Sequence, residues 1–446
     1  MLNYIWLALV VLAVGIGGWN DRLNEVTAGA FDGAKTAVTI ALGLIGVMAL
    51  WLGVMRLAER AGLVQRIARG LRPVMRRLFP DVPPEHPAMG SMLMNMAANM
   101  LGLGNAATPL GLRAMKDLET LNPRPGVASN AMCTFLAINT ASVQLIPATA
   151  IALLAAAGSK RPTAIVGTAL LATLCVATVA ITTAKILEKL PFFRVRKSAP
   201  LEGEVTAAAP TVSPSDIFQT EDLPPKTKAP LWASALLIVL AIFFLALFVR
   251  MVFPGLFNLP TDPAAATQSA FVRSVNALSI LAIPFLLSFF PVYAATRGVK
   301  VYEEFVEGAK EGFGVILKII PFLVAMLVAI GMFKGAGGID LLARALSPIL
   351  TPLHFPTDLL PLALMRPLSG SATLAILTDI IHRLGPDNIV ALMAATIYGS
   401  TETTFYVAAV YFGSVNVKQT RHAIPAGLLG DLAGVIASVI VCRAVF

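Results

Sequence analysis

An interrupted apolar segment, residues 95–109, constrains the fold of this chain more than any other stretch. Asn95 and Asn99 lie one helical turn apart, and the glycines after them predict a break before Thr108 and Pro109 restart a helix as N-cap and first residue. At membrane depth, lipid cannot satisfy the backbone groups that a break exposes. The break must therefore lie against protein or against a polar cavity.

A second interrupted segment covers residues 366–373, where Pro367 stops a helix and Ser369, Gly370 and Ser371 supply turn and cap residues. The first arm of the earlier segment, residues 88–101, is about 21 Å long as a helix, shorter than a hydrocarbon core of roughly 30 Å. We therefore expect a re-entrant helical hairpin in each half. Paired interruptions of this kind are typical of transporter binding sites.

The composition is that of a polytopic, all-α membrane protein. The chain is 57% hydrophobic and 13% charged, against roughly 25% charged residues in soluble domains. Its net charge of +9 lies mostly in short segments beside apolar runs, which is the positive-inside pattern. The lipid bilayer is thus the expected partner, and nucleic acid is not. Three cysteines without a CxxC pair indicate neither a disulfide framework nor a zinc site.

Apolar runs predict about nine full spans, which fall at residues 4–19, 37–55, 126–156, 163–187, 231–253, 275–295, 315–332, 389–412 and 423–445. Polar residues up to Lys35 predict a loop before the second span. Residues 56–77 carry seven arginines and one glutamate, and predict a basic amphipathic helix on the cytoplasmic face. We expect a bacterial inner (plasma) membrane location with a cytoplasmic N-terminus.

The two halves of the chain look like copies. Gly29, Ala30 and Gly33 recur as Gly308-Ala309 and Gly312, each set ahead of a span. Residues 1–190 and 230–446 are the predicted repeats, and residues 191–229 form a proline-rich cytoplasmic linker. An odd number of spans, five, precedes the second copy, so the repeats have inverted topology. A weaker amphipathic helix at residues 339–350 would then lie on the opposite face.

A polar break also interrupts one later span in each half, at residues 139–144 and 399–404. We expect the hairpin tips and these two breaks to surround one polar cavity near the midplane. The predicted substrate-binding residues are Asn95, Asn99, Gly104, Asn105, Thr108, Asn139, Thr140, Ser142, Gln144, Ser369, Ser371, Thr373, Ser400, Thr401, Glu402 and Thr403.

Glu402 is the one acid expected inside the membrane core, where an ionisable group indicates function. If ionised, it can hold a cation or a substrate amine or hydroxyl. If protonated, it can carry a proton. A structural pairing with Arg366 is the alternative.

Three motifs carry a resemblance to known families. NMLGLGNAATPLGLRAM at residues 99–115 resembles spore maturation protein A, whereas LMRPLSGSAT and IYGSTETTFYVAAVYFGSV at residues 364–373 and 397–415 resemble spore maturation protein B. The resemblance implies a fusion of the two, with the nucleoside-recognition Gate domain shared by concentrative nucleoside transporters and ferrous iron transporters. Residues 399–402 are similar to the Gly-Gln-Thr-Glu type motif of the nucleoside transporters, with Ser400 in the Gln position.

These observations favour a secondary transporter of a small polar solute, which is nucleoside-like, an amino acid or an organic anion. Coupling to Na⁺ or H⁺ and homo-oligomer formation are left open, and no cofactor and no metal site are expected. A membrane scaffold in envelope or spore maturation is the alternative from another class, and a metal-ion transporter is the second alternative. No arrangement of residues typical of an enzyme active site is present.

Overall fold

The computed structural model describes residues 2–102, 104–193, 231–254, 268–338, 341, 344 and 355–446. Its helices are α1 (Leu2–Trp19), α2 (Leu23–Arg60), α3 (Leu63–Leu78), α4 (Pro87–Met100), α5 (Gly104–Glu119), α6 (Asn130–Thr140), α7 (Ala148–Ala156), α8 (Ile165–Leu187), α9 (Leu231–Val252), α10 (Ala270–Ala295), α11 (Val301–Gly335), α12 (Leu360–Met365), α13 (Gly370–Leu384), α14 (Ile389–Ser400), α15 (Thr404–Gly413) and α16 (Ala423–Val445).

The all-α class is confirmed, since no strand occurs within the described ranges. Five helices of that part of the chain are long and apolar enough to cross a membrane, at Leu23–Arg60, Ile165–Leu187, Ala235–Val252, Ala270–Ala295 and Ala423–Val445. The total of about nine spans stays a prediction. Most of the predicted linker and of the helix at residues 339–350 lies outside the described residues.

The centre of the fold is a pair of long helices, α2 with 38 residues and α11 with 35 residues. The predicted loop up to Lys35 is wrong, because α2 already begins at Leu23. The polar residues at this end of α2 belong to the helix and line a charged pocket that contains Glu25 and Asp32. The apolar run alone therefore predicted too short a helix.

Helices α2 and α11 run antiparallel and touch through glycine. Gly29 lies on the backbone of Gly331 and Gly33 on the carbonyl of Leu327, while towards the other end Gly53 lies on Phe305. The glycines that recur in the sequence are thus the residues that let these two backbones approach. Antiparallel packing of corresponding helices is what an inverted repeat requires, although the repeat topology itself stays a prediction.

Both predicted hairpins are helix–break–helix structures. The first break is shorter than predicted: α5 resumes at Gly104, so Thr108 and Pro109 lie inside the helix and do not begin it. The reason is Gly102, whose φ of +76° reverses the chain within a few residues, a conformation that glycine adopts at little cost. In the second hairpin, Ser369 caps α13 as predicted, accepting a hydrogen bond from Ala372 N at 3.2 Å.

The predicted breaks in two later spans are also observed. Helix α6 ends at Thr140 and α7 begins at Ala148, while α14 ends at Ser400 and α15 begins at Thr404. Helices α8 and α16, which follow the two breaks, pack against each other in antiparallel fashion, since Gly430 lies on Ala180 and Gly434 on Val176.

The basic segment at residues 56–77 divides between two helices. Its first residues complete α2, and Gly62, with a φ of +75°, turns the chain into α3. The buried side of α3, with Val64, Ala68 and Met75, belongs to the main hydrophobic core. The buried side of α3 therefore packs against α4.

Loop contacts join the two halves at the opposite end from α3. Asp387, between α13 and α14, accepts hydrogen bonds from Ser159 Oγ at 2.6 Å and from Lys160 N at 3.0 Å. The hydrogen bond from Ser159 and that from Lys160 lower the pKa of the Asp387 carboxyl below its usual value. This contact holds the loop after α7 beside the loop after α13.

The contact between α2 and α11 generates a stability prediction. Gly33→Ala places a methyl group on the Leu327 carbonyl, so we expect the free energy of unfolding to fall by about 1–3 kcal/mol. The matched control is Gly46→Ala on the same helix, where the added methyl group meets no atom within 4 Å. Thermal unfolding of the purified variants measures the difference, and equal melting temperatures would contradict the close contact.

Topology generates a second prediction. In a background without the three cysteines, single cysteines at the exposed positions Arg69 and Arg344 should be labelled from opposite faces, with Arg69 on the cytoplasmic side. An impermeant maleimide applied to intact cells and to inverted vesicles measures this. Labelling of both positions from one side would exclude the inverted repeat.

Candidate functional site

A cavity of about 180 Å³ lies where the first hairpin and both broken spans meet. Its lining consists of Asn99, Ala107, Thr108, Asn139, Ser142, Gln144, Glu402, Tyr406, Val407, Val410 and Tyr411. Predicted residues from both halves therefore share one site. The cavity lies where α6 and α14 end and α15 begins.

The first half contributes a network of amides. Asn99 Nδ2 donates to Asn139 Oδ1 at 3.0 Å, and Tyr411 OH donates to the same oxygen at 3.3 Å. Asn95, which is fully buried, lies one step behind the cavity, where its Nδ2 donates to Ala107 O at 2.8 Å and contacts Tyr411 OH at 3.3 Å. The network joins the hairpin to α6 and to α15 and so orients the amides of the lining.

The first break is stabilised by side-chain and backbone hydrogen bonds. Thr173 Oγ1, on α8, lies 3.0 Å from Ala141 O and 3.1 Å from Ser142 O. Leu145 N donates to Met100 O at 3.0 Å, which ties the break to the end of α4. Ser142 has a φ of +42°, a conformation that a non-glycine residue keeps only when its surroundings hold it. Ser142 lines the cavity together with Asn139 and Gln144.

The two breaks are joined directly, because Glu402 N donates to Thr140 O at 2.9 Å. Each break thereby satisfies a backbone group that the other exposes. Phe405 N donates to Pro367 O at 3.0 Å, and the second hairpin thus joins the same centre.

Arg366 holds the second break in place. This arginine is 3% exposed; its Nε donates to Thr401 Oγ1 at 2.9 Å, and an Nη donates to Tyr398 O at 2.9 Å and to Thr401 O. Its guanidinium also lies 4.7 Å from the centre of the Tyr398 ring. Glu402 is more distant, with Oε2 3.9 Å from the guanidinium and a side chain that is 37% exposed. Arg366 is therefore satisfied mainly by the backbone and Thr401, which leaves Glu402 available to the cavity.

Several predicted residues lie outside the cavity lining and shape it through local hydrogen bonds. Ser371 Oγ lies 3.2 Å from Ser369 Oγ at the start of α13, and Thr373 Oγ1 donates to Ser369 O at 2.7 Å. Ser400 Oγ donates to Ile397 O and Thr140 Oγ1 to Ala137 O. Thr403 Oγ1 is 3.5 Å from Glu402 Oε1. The expected meeting of the hairpin tips is untested, because the side chain of Asn105 and that of its neighbour Ala106 lie outside the described residues.

Two kinds of polar residue in this region were not predicted from the sequence. Tyr406 and Tyr411 line the cavity from α15. Tyr406 lies four residues after Glu402, and this proximity in the sequence could have indicated it. Asp431, 3% exposed within α16, makes the expectation of a single acid in the core wrong. It stands alone in an apolar run, which is itself a signal of function.

No group of three or more His, Cys, Asp or Glu residues that could hold a metal ion occurs in the part of the chain that the structure describes. The cavity contains one carboxylate, from Glu402, among amides, hydroxyls and two tyrosines. Its chemistry suits a solute that donates and accepts hydrogen bonds.

Comparisons with known proteins place this site within a described domain. A family model described as "Gate: Nucleoside recognition" matches residues 41–158 and 316–418, which include both broken spans. The chain is 46% identical over 197 residues to spore maturation protein A of Bacillus subtilis (strain 168), covering 44% of this chain and 98% of that protein. It is 43% identical over 172 residues to spore maturation protein B of the same organism, covering 39% and 97%.

One solved structure also aligns with the chain. The crystal structure of the Alcanivorax borkumensis YdaH transporter covers 99% of this chain and 96% of that chain, at 16% sequence identity and a TM-score of 0.46. A similarity at this level does not establish a common fold.

The contrast between Arg366 and Glu402 generates a stability prediction. Arg366→Met leaves the carbonyls of Tyr398 and Thr401 without their donor, so we expect the free energy of unfolding to fall by on the order of 3 kcal/mol. Glu402→Gln should change it by less than about 1 kcal/mol, because Glu402 is only a distant partner of Arg366.

The control for both variants is Arg69→Met, at an exposed position of α3, which should stay within about 0.5 kcal/mol of the parent protein. Thermal unfolding in one detergent measures all three. If Glu402→Gln destabilised the protein as much as Arg366→Met, Glu402 would be a structural partner of the arginine.

Proposed function

Because the chain belongs to the family of spore maturation proteins A and B, with both joined in one chain that contains the Gate domain, we propose that it is a secondary membrane transporter of a small polar solute. The observation that supports this proposal most strongly is the cavity between the two broken spans. Broken helices around a polar midplane site are the arrangement that secondary transporters use. We place the protein in the bacterial inner membrane with a cytoplasmic N-terminus.

The chemistry of the lining limits the solute. Glu402 supplies an acceptor with negative charge, whereas Asn99 and Gln144 supply amides that both donate and accept. Arg366, 3.9 Å from Glu402, balances its charge, so the site needs no net charge on the solute. A hydroxyl or amine that donates to Glu402 and a carbonyl or ring nitrogen that accepts from an amide would complete the site. Nucleoside-like solutes and amino acids fit this pattern, whereas an organic anion places its charge beside a carboxylate.

The size of the cavity supports a small solute. Its volume of about 180 Å³ is below the roughly 300–1,000 Å³ of pockets for drug-sized ligands. Tyr406 and Tyr411 add two aromatic side chains to the lining, beside which a flat group can pack. A divalent metal ion as cargo is less favoured, since one carboxylate supplies too little charge and too few oxygen ligands.

The alternative is a membrane scaffold in envelope or spore maturation, which the names of the two relatives favour. A scaffold, however, has no physical need for a polar cavity between two broken spans. The two functions therefore differ in a measurable property, the binding of a small solute.

The experiment starts from purified protein and a thermal-shift panel of nucleosides, amino acids, dicarboxylates and metal chlorides, because a ligand that binds only the folded state raises the melting temperature. Compounds that bind are then tested by uptake into proteoliposomes. Glu402→Gln should weaken binding and uptake about tenfold or more, the effect of losing a hydrogen bond to a charged group worth about 1.5–3 kcal/mol.

The matched control is Glu307→Gln on α11, an exposed glutamate paired with Lys310, which should keep parental uptake. If no compound in the panel binds and uptake equals that of empty liposomes, the transporter proposal fails and the scaffold is supported.

A further inference from the structure

Asp431 is the most deeply buried acid among the described residues of the spanning helices. It lies eight residues into α16, a helix apolar enough to span a membrane, and is 3% exposed. It does not line the cavity, so the function proposed above leaves it unexplained. A lone acid at this depth is expensive and indicates a role.

Only one of its two oxygens has a partner. Asp431 Oδ2 accepts a hydrogen bond from Thr404 Oγ1 at 2.7 Å. Asp431 Oδ1 is buried and has no hydrogen-bond partner among the described residues. An ionised carboxylate accepts hydrogen bonds at both oxygens and carries its charge on both. The observed contacts match a protonated carboxyl group better, with Oδ2 as the carbonyl oxygen and Oδ1 as the hydroxyl oxygen.

The surroundings of Asp431 are close-packed and mostly uncharged. A Cβ on Gly427, one turn earlier, would lie 2.9 Å from Thr404 Oγ1 and 3.3 Å from Thr140 Oγ1, so hydroxyls from both broken spans pack on this part of α16. Gly430 and Gly434 lie against Ala180 and Val176 of α8, and Gly434 also against Thr401. Thr404 is the one hydrogen-bond donor to Asp431 among the described residues, so a charge on Asp431 would be poorly stabilised.

Two charged side chains of the described residues act on Asp431, namely Arg366 and Glu402. These two form their own pair at 3.9 Å. The charges of Arg366 and Glu402 already offset each other. A negative charge on Asp431 would therefore have no further positive charge to offset it among the described residues. Uncompensated charge at this depth costs several kcal/mol, and binding of one proton removes it.

We propose that Asp431 is a proton-binding site, separate from the solute cavity, whose proton exchanges with water and whose occupancy is transmitted to the second break through Thr404. When Oδ1 loses its proton, the carboxyl group becomes a carboxylate, no other bond is broken, and the proton passes to water. The new charge strengthens the hydrogen bond from Thr404 Oγ1, and Thr404 directly follows the non-helical residues 401–403.

The connection to the cavity is short. Glu402 lies on the same non-helical segment, with its side chain in the cavity and its backbone N donating to Thr140 O. A shift of Thr404 towards Asp431 thus moves Glu402 relative to the solute. This connection rests on the proposed transport function, whereas proton binding at Asp431 does not.

Infrared difference spectroscopy of the purified protein in lipid tests the site without any solute. A protonated carboxyl group gives a C=O stretching band that disappears on ionisation and shifts in D₂O. Spectra are recorded on raising the pH from about 6, where exposed carboxyls are already ionised. We expect one such band in the parent protein, its complete loss in Asp431→Asn, and its retention in Asp379→Asn and in Glu307→Gln.

A second variant keeps the proposal testable if Asp431→Asn does not fold. Thr404→Val keeps the acid and removes its donor, so the same band should move to higher frequency, because a carbonyl without a hydrogen bond stretches at higher frequency. Persistence of the band in Asp431→Asn, no shift in Thr404→Val, or loss of the band on adding sodium chloride at constant pH would each overturn the proton site.

The experiments can refute the transporter proposal and the proton-site proposal independently of each other. If no solute in the panel is transported but Asp431→Asn loses the band, the proton site stands and the transporter does not. If uptake occurs and no exchangeable band depends on Asp431, the transporter stands and its coupling does not involve this residue.

Discussion

The hydrogen bond from Glu402 N to Thr140 O, at 2.9 Å, is the interaction on which the centre of this protein depends. Each unsatisfied backbone group at membrane depth costs several kcal/mol, so neither broken span can exist alone. This hydrogen bond satisfies one backbone group of each break. Thr173 satisfies the carbonyls of Ala141 and Ser142, and Arg366 satisfies those of Tyr398 and Thr401. The two breaks must therefore lie together, and Asn139, Ser142, Gln144 and Glu402 line one cavity as a consequence.

The long glycine-rich contact between α2 and α11 provides the rigid frame for this centre. Gly29 and Gly33 each lower intrinsic helix stability by about 1 kcal/mol relative to alanine, yet the backbones of Gly331 and Leu327 occupy the space that a side chain would need. Between helices in lipid, close packing of small residues is a main source of association. The same solution recurs between α8 and α16, where Gly430 and Gly434 let the helices approach. Broken, polar elements are thus held between two pairs of closely packed helices.

Arg366, Glu402 and Asp431 are ionisable side chains around the second break, and their different contacts give them different roles. Arg366 and Glu402 lie 3.9 Å apart and offset each other, while the hydrogen bonds of Arg366 go to the backbone of the second break. The carboxylate of Glu402 therefore stays accessible to the cavity. Asp431, behind the same break, has one hydroxyl partner and no counter-ion of its own among the described residues. Glu402 thus lines the cavity, while Asp431 contacts Thr404, the residue that follows the non-helical residues 401–403.

The sequence by itself determined the membrane class, the two hairpins and the two breaks, because glycine, proline and capping serines act on the neighbouring backbone within a few residues. It also predicted that Asn99, Asn139 and Glu402 lie at one cavity, since polar groups beside a break need each other. Only the tertiary structure decided that Ser371 stays outside the cavity lining, that Tyr411 lies within it and that Asp431 lies behind the break. Periodicity states which face of a helix a residue occupies, but the neighbour on that face is set by long-range packing between helices far apart in the chain.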